Sequence, residues 1–153
     1  WLDRLALDGQ LPKDARVLDY GCGSGILAIA ALRLGASSAV AVDIDPQALI
    51  ATRANAGRNG CATQLGCGLP VDLLPASRPE AFDMLVANIL SGPLVRLAPE
   101  LQRFAGPATR VALSGILADQ ATEVIAAFRP WVHLAVIEQQ DGWVLLAGTL
   151  PLT

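Results

Sequence analysis

Three glycines at alternate positions, Gly21, Gly23 and Gly25, follow the short apolar run Arg16–Tyr20 and lead into Ile26-Leu27-Ala28-Ile29-Ala30-Ala31-Leu32. Glycine takes positive φ without steric cost, so a chain can turn sharply at the carboxyl end of a strand and re-enter as a helix. The same bare backbone lets a ligand approach closely. A strand, a glycine loop and a helix in that order belong to a sheet whose crossovers are helical.

The rest of the chain repeats the alternation. Arg16–Tyr20 is the first expected strand, and a helix follows from about Gly25 to Leu34 with Gly35 as its C-terminal cap. Ala39–Asp43 is the second strand; Asp45 caps the next helix, Pro46 occupies its first position, and Asn59-Gly60 ends it. A short third strand is expected near Thr63–Leu65, and Phe82–Ala87 is the buried fourth. Gly92-Pro93 starts a helix whose Leu94, Leu97, Ala98, Leu101 and Phe104 recur at helical spacing. Arg110–Ser114 reads as strand five, and Ala121, Val124, Ile125 and Phe128 make a further helical stripe. Val132–Glu138 and Trp143–Leu150 flank Asp141-Gly142, a hairpin signal between apolar runs. The expected fold is α/β: a Rossmann-like, mostly parallel, twisted seven-stranded sheet with helices on both faces, ending in an antiparallel β-hairpin. Such an ending is unusual for a dinucleotide fold and usual for a methyltransferase fold.

The 153 residues suit one domain, here taken as 1–153, and a 53% hydrophobic composition supplies its core. A membrane span needs about 20 uninterrupted apolar residues, whereas the longest candidate run, Ile26 to Leu32, stops at Arg33. No membrane partner is expected, and no secretory signal opens the chain. The net charge is −3 with no basic stripe, so no direct nucleic-acid partner is expected. Cys22, Cys61 and Cys67 form no CxxC pair and are odd in number, which argues against a disulfide framework or a zinc site and fits a reducing, cytoplasmic compartment. Trp1-Leu2-Asp3-Arg4-Leu5 reads as the tail of a helix that began upstream. The oligomeric state is not legible.

The glycine loop alone is a weak signal, and its surroundings sharpen it. A dinucleotide fingerprint wants Gly or Ala three residues after the second glycine; Ile26 stands there. Asp19, two residues before Gly21, would repel a diphosphate and attract an ammonium; at about 4 Å either term is a few kcal/mol. S-adenosylmethionine has an ammonium and a sulfonium and no phosphate, so the sign favours it; the other reading has Asp19 cap backbone N–H groups of the loop. Asp43 ends strand two, where a carboxylate can accept both ribose hydroxyls or merely cap the following turn. Ile44 is suited to an adenine face or to the core. Asn88 ends strand four, which lies beside strand one in this topology. Its amide and backbone carbonyl can accept from an amine and aim the nitrogen lone pair, or the residue can stabilise the turn before Gly92-Pro93. His133 sits mid-strand without an acidic or Cys neighbour and reads as structural, Trp131 and Trp143 as packing residues. Ser114-Gly115 has no GxSxG elbow around it.

Taken together, Asp19 to Ala31, Val42-Asp43-Ile44-Asp45-Pro46, Asn88-Ile89-Leu90 with Gly92-Pro93-Leu94, Leu113-Ser114-Gly115-Ile116-Leu117 with Gln120, and Gly142-Trp143 resemble the bacterial methyltransferases of large-subunit ribosomal protein eleven. The resemblance implies the class I methyltransferase fold, S-adenosyl-L-methionine as cofactor and a ribosomal protein as substrate, methylated on lysine side chains and the N-terminal amine. It also implies a separate N-terminal substrate-gripping domain and a cofactor-covering segment, neither of which is in this sequence. By motif, Gly21, Asp43 and Asn88 would contact the cofactor; the loop residues Asp19, Cys22 and Gly23 and the neighbouring Ile44 complete the expected cofactor set, and Asn88 is the expected catalytic residue. The wider fold places an acid after strand three against the adenine amine; Gly66-Cys67-Gly68 stands there, so backbone contacts replace it.

The chemistry expected is in-line displacement: a neutral amine attacks the sulfonium methyl and S-adenosylhomocysteine leaves. No metal is required. No His, Glu or Lys is placed as a general base, so the proton is expected to go to water. Three other functions are compatible with parts of this pattern. A small-molecule amine N-methyltransferase with the same core would lack an upstream gripping domain. A nicotinamide oxidoreductase is opposed by Ile26, Asp19 and the terminal hairpin. A binding module without catalysis is opposed by the presence of Asp19, Asp43 and Asn88 together.

Overall fold

Apolar runs broken by Gly, Pro and Asp produce seven strands and four α-helices among the residues described by this computed structural model, 11–12, 14–73 and 81–152. The strands form a mostly parallel, seven-stranded sheet. The chain divides into two compact units, Trp1–Pro79 and Glu80–Thr153. The helix tail expected at Trp1–Leu5 lies outside the described residues.

In the first unit, β1 (Arg16–Tyr20), β2 (Ser38–Val42) and β3 (Leu65–Gly68) run parallel in the order β3-β2-β1. Val17, Leu18, Asp19 and Tyr20 are consecutively buried, as expected of a parallel strand covered on both faces. The helix α1 (Ile26–Arg33) buries Ala28, Ile29, Ala31 and Leu32. It ends in a Schellman cap: Gly35, at φ 113, donates to Leu32 O and Ala36 donates to Ala31 O. The helix α2 (Pro46–Arg58) begins with Asp45 Oδ1 accepting from Gln47 N at 2.9 Å and with Pro46 at its first position. It closes at Asn59, with Gly60 at φ 68 beyond it.

Two strands in this unit differ in their bounds from expectation. Strand β2 starts at Ser38, and Asp43 lies just past its end. Strand β3 is displaced from Thr63–Leu65 to Leu65–Gly68, because Cys61 O accepts from both Gln64 N and Leu65 N and holds Thr63 in a turn. Parallel pairing uses only backbone groups, so Gly66 and Gly68 pair with Val40 and Val42 despite poor strand propensity.

In the second unit, β4 (Phe82–Asn88) pairs parallel with β5 (Ala105–Leu117), and β7 (Trp143–Thr149) lies antiparallel between β5 and β6 (Ala135–Gln140). The helices α3 (Ser91–Gln102) and α4 (Ala121–Phe128) contact one another. Leu94, Ala98 and Leu101 of α3, with Phe104 after it, are buried, and Leu97 is half-buried. The hairpin turn is as expected: Asp141 and Gly142 both take positive φ, 50 and 82, the demand of a two-residue type I′ turn.

Strand β5 is far longer than Arg110–Ser114. Its first half is hidden by Pro107 and by Ala108 at φ 63; Thr109 Oγ1 bridges this irregular stretch, accepting from Gly106 N and donating to Phe82 O. Strand β6 begins at Ala135 rather than Val132, because Trp131 and Val132 donate to Phe128 O and close α4. His133 therefore precedes the strand and is exposed.

Candidate functional site

In the first unit the glycine loop is the focus. Gly21, Gly23 and Gly25 have φ of 79, 53 and 79, so each needs the freedom that glycine supplies. Gly21 N and Cys22 N both donate to Val42 O, at 2.7 and 2.9 Å. Gly23 N donates to Asp43 Oδ2 at 2.8 Å, while Asp43 Oδ1 accepts from Asp45 N at 3.0 Å. Asp43 thus latches the loop and caps its own turn. Each carboxylate oxygen keeps a second lone pair for a ligand hydroxyl.

Helix α2 holds the loop from the other side. Thr52 Oγ1 donates to Gly23 O at 3.0 Å, and Asn55 Nδ2 donates to Ser24 O at 3.0 Å. A Cβ on Gly25 would stand 2.8 Å from Thr52 Cγ2, whereas one on Gly23 would meet nothing within 4 Å. The loop is therefore packed at Gly25 and open at Gly23. The sequence reading missed Thr52 and Asn55. Their signal is slight: two polar residues three apart, hence on one helix face.

Asp19 is fully buried. Its Oδ2 accepts from Ala28 N, in the first turn of α1, at 3.0 Å, while Oδ1 has no partner among the described residues. Burial pushes the carboxyl up to about 6, with the nearby charge of Asp43 adding and the Ala28 N–H opposing. Asp19 therefore caps the first turn of α1 rather than the loop, and it uses one oxygen of two. A buried acceptor without a donor is costly, and an ammonium or a water is the kind of group that satisfies it. The site therefore fits a cofactor that carries an ammonium.

Cys22 is buried against Thr52, its Sγ 3.5 Å from Thr52 Oγ1. Burial, first, and the charges of Asp19, Asp43 and Cys67 push its thiol up to about 11, against the opposing Thr52 hydroxyl. It is a wall of the loop and no nucleophile. Ile44 is 82% exposed, which removes the core reading and leaves an apolar face beside Asp43. Cys67 is half-buried on β3, and its carbonyl already accepts from Arg53 Nη2 at 3.1 Å. Asp19, Gly21, Cys22, Gly23 and Asp43 thus form one connected cluster, with Ile44 at its edge.

Asn88 belongs to the second unit, where it is the last residue of β4, exposed and paired with Ser114. Asn88, Ile89, Leu90, Ser114, Gly115 and Trp143 line a hollow of about 380 Å³. None of these six side chains is an acid or a base near neutral pH. Trp143 is 45% exposed and contributes to the wall rather than the core. Trp131, by contrast, packs on Phe128 with ring centroids 5.3 Å apart and planes tilted by 41°. Gln120 Oε1 accepts from Ser91 Oγ at 2.8 Å and ties the start of α3 to the turn before α4. Among the described residues no cluster of His, Cys, Asp or Glu could hold a metal, and no helix is long and apolar enough to cross a membrane.

The family model described as ribosomal protein L11 methyltransferase (PrmA) matches residues 2–150. A ribosomal protein L11 methyltransferase of Pseudomonas fluorescens is 57% identical over 143 residues, which is 93% of this chain and 48% of the relative. One of Azotobacter vinelandii is 55% identical with the same coverage. The chain spans about half the length of the curated relatives it matches. Among solved structures, a ribosomal protein L11 methylase from Lactobacillus delbrueckii subsp. bulgaricus superposes with TM-score 0.81 at 33% identity, over 98% of this chain and 77% of that one. An RNA methyltransferase from Salinibacter ruber in complex with S-adenosyl-L-homocysteine shares the fold, with TM-score 0.70 at 20% identity over 98% and 90% of the two chains. The fold is that of the class I methyltransferases, and the chain belongs to the ribosomal protein L11 methyltransferase family.

Proposed function

We propose that this chain is the S-adenosylmethionine-binding domain of a protein N-methyltransferase that modifies lysine side chains and the N-terminal amine of a large-subunit ribosomal protein. The observation that carries the cofactor is the buried, donorless Oδ1 of Asp19 behind a loop that is open at Gly23. An ammonium group satisfies that oxygen, and a phosphate is repelled by it. Asp43 offers its remaining lone pairs to the ribose hydroxyls, and exposed Ile44 offers an apolar face to the adenine. Cytoplasmic residence follows from that substrate, with no direct role for nucleic acid or membrane.

When bound, the cofactor supplies an activated methyl on a sulfonium. The chain's own part is positional. Asn88 Oδ1 and the Ile89 carbonyl accept from the amine N–H groups and direct the lone pair away from themselves. A lysine is mostly protonated at neutral pH, and the apolar walls given by Ile89, Leu90 and Trp143 favour its neutral form by desolvation. With no base among the six lining residues, the proton leaves to water.

The test is transfer of labelled methyl from S-adenosylmethionine to the ribosomal protein by the full-length protein, beside a panel of small amines. Label on lysine and N-terminal positions of the protein is expected. Label only on small amines would refute the substrate class. Absence of calorimetric binding of S-adenosylhomocysteine would refute the cofactor.

A further inference from the structure

We infer that Gly115 is a positioning residue for the acceptor amine: its bare Cα is the surface against which Asn88 Oδ1 and the Ile89 carbonyl are held. This rests on the proposed role of Asn88.

Strand β5 leaves its ladder with β7 between Leu113 and Ile116, while its pairing with β4 continues to Asn88 opposite Ser114. Gly115 sits in that break at φ 78. A Cβ there would stand 2.8 Å from Ile89 O, 2.9 Å from Asn88 Oδ1 and 3.1 Å from Ile89 C. Glycine leaves the space of a side chain free, and the two oxygens stand where a Cβ would collide with them. Both oxygens are acceptors, and they belong to consecutive residues that line the same hollow. Asn88 is exposed at a strand end, where a side chain otherwise samples several rotamers. Contact with Gly115 is what restricts its amide. A bulge alone explains the positive φ. It does not require two hydrogen-bond acceptors on the inner face of the glycine.

The consequence is specific. A methyl at position 115 displaces the Asn88 amide first, because a side chain rotates more easily than the Ile89 peptide shifts. A misplacement on the order of 1 Å at a reacting group costs about 10²-fold in rate. In the full-length protein, Gly115→Ala is expected to lower kcat by about that factor, with KM for the ribosomal protein and affinity for S-adenosylhomocysteine nearly unchanged. Gly115→Asn tolerates the left-handed backbone better and still carries the Cβ, so it reports the collision if the alanine variant folds poorly. The decisive comparison is with Asn88→Ala. If Gly115 acts through Asn88, adding Gly115→Ala to Asn88→Ala costs far less than it does alone. Losses that multiply in the double variant would overturn the inference, as would wild-type kcat in either Gly115 variant that folds while Asn88→Ala is slow. Undiminished turnover of Asn88→Ala would instead refute the proposed role of Asn88 and the inference with it.

Discussion

Asp43 has two duties to separate, because its carboxylate already accepts from Gly23 N and Asp45 N. Replacing it by alanine removes a ribose partner and also unlatches the loop, so lost binding alone would not say which mattered. The separation comes from changing the ligand together with the residue. A hydrogen bond to a charged acceptor contributes about 1.5–3 kcal/mol, or roughly 10- to 150-fold in affinity. Calorimetric titration of wild type with S-adenosylhomocysteine and with an analogue lacking both ribose hydroxyls should show at least that loss for the analogue. In Asp43→Ala the natural product should bind more weakly, and removing the hydroxyls should cost almost nothing further. Asp43→Asn, with one acceptor oxygen left and an amine turned toward one of the backbone donors, should fall between. If the hydroxyls are worth as much in Asp43→Ala as in wild type, Asp43 only shapes the loop and the ribose is held elsewhere.

Asp19 predicts a pH dependence of unusual sign. Its carboxyl stands near 6 in the folded chain against an ordinary 3.8, so the folded state binds the proton more tightly. This group's penalty on folding is absent below the ordinary value, grows as pH rises through that interval, and reaches roughly 3 kcal/mol above it. The difference in melting temperature between wild type and Asp19→Asn should therefore vary between pH 4 and 6; identical pH profiles would refute the burial argument. An ammonium at Oδ1 would also expel the proton, so S-adenosylhomocysteine should bind wild type more weakly at pH 5.5 than at 7.5, a trend Asp19→Asn should lack. Thr52→Val keeps the volume and deletes the bond to Gly23 O, so it should cost about 1 kcal/mol of stability and weaken cofactor binding. A lowered melting temperature with unchanged affinity would limit Thr52 to a structural role. Gly148→Ala drives a Cβ into the His133 carbonyl and should lower the melting temperature by several degrees, about 1–3 kcal/mol of strain; a variant as stable as wild type would disprove that contact.

Features governed by neighbouring residues were legible in the sequence. Asp45 with Pro46 marks a helix start, Asp141-Gly142 sets a hairpin, and alternate glycines define the loop, each through a rule acting over a few residues. Strand β3 was misplaced because Thr63 has strand propensity and Gly66 does not, while the sheet needed only backbone groups. The first half of β5 was hidden behind Pro107, and β6 was started early because Val132 and Leu134 bury themselves without pairing. At the site, the place of Asp43 at the end of β2 is legible, but its bond to Gly23 spans 20 residues and leaves no local trace. Thr52 and Asn55 were missed for the same reason: their partners, Gly23 and Ser24, become neighbours only after folding.

The buried thiol of Cys22 bears on how such a protein endures oxidative stress. Peroxide and disulfide exchange act on thiolates, and a thiol pushed up to about 11 holds almost none at neutral pH. Packed against Thr52 inside the loop, it is also largely shielded from solvent. The loop is thereby shielded from thiol oxidation at Cys22.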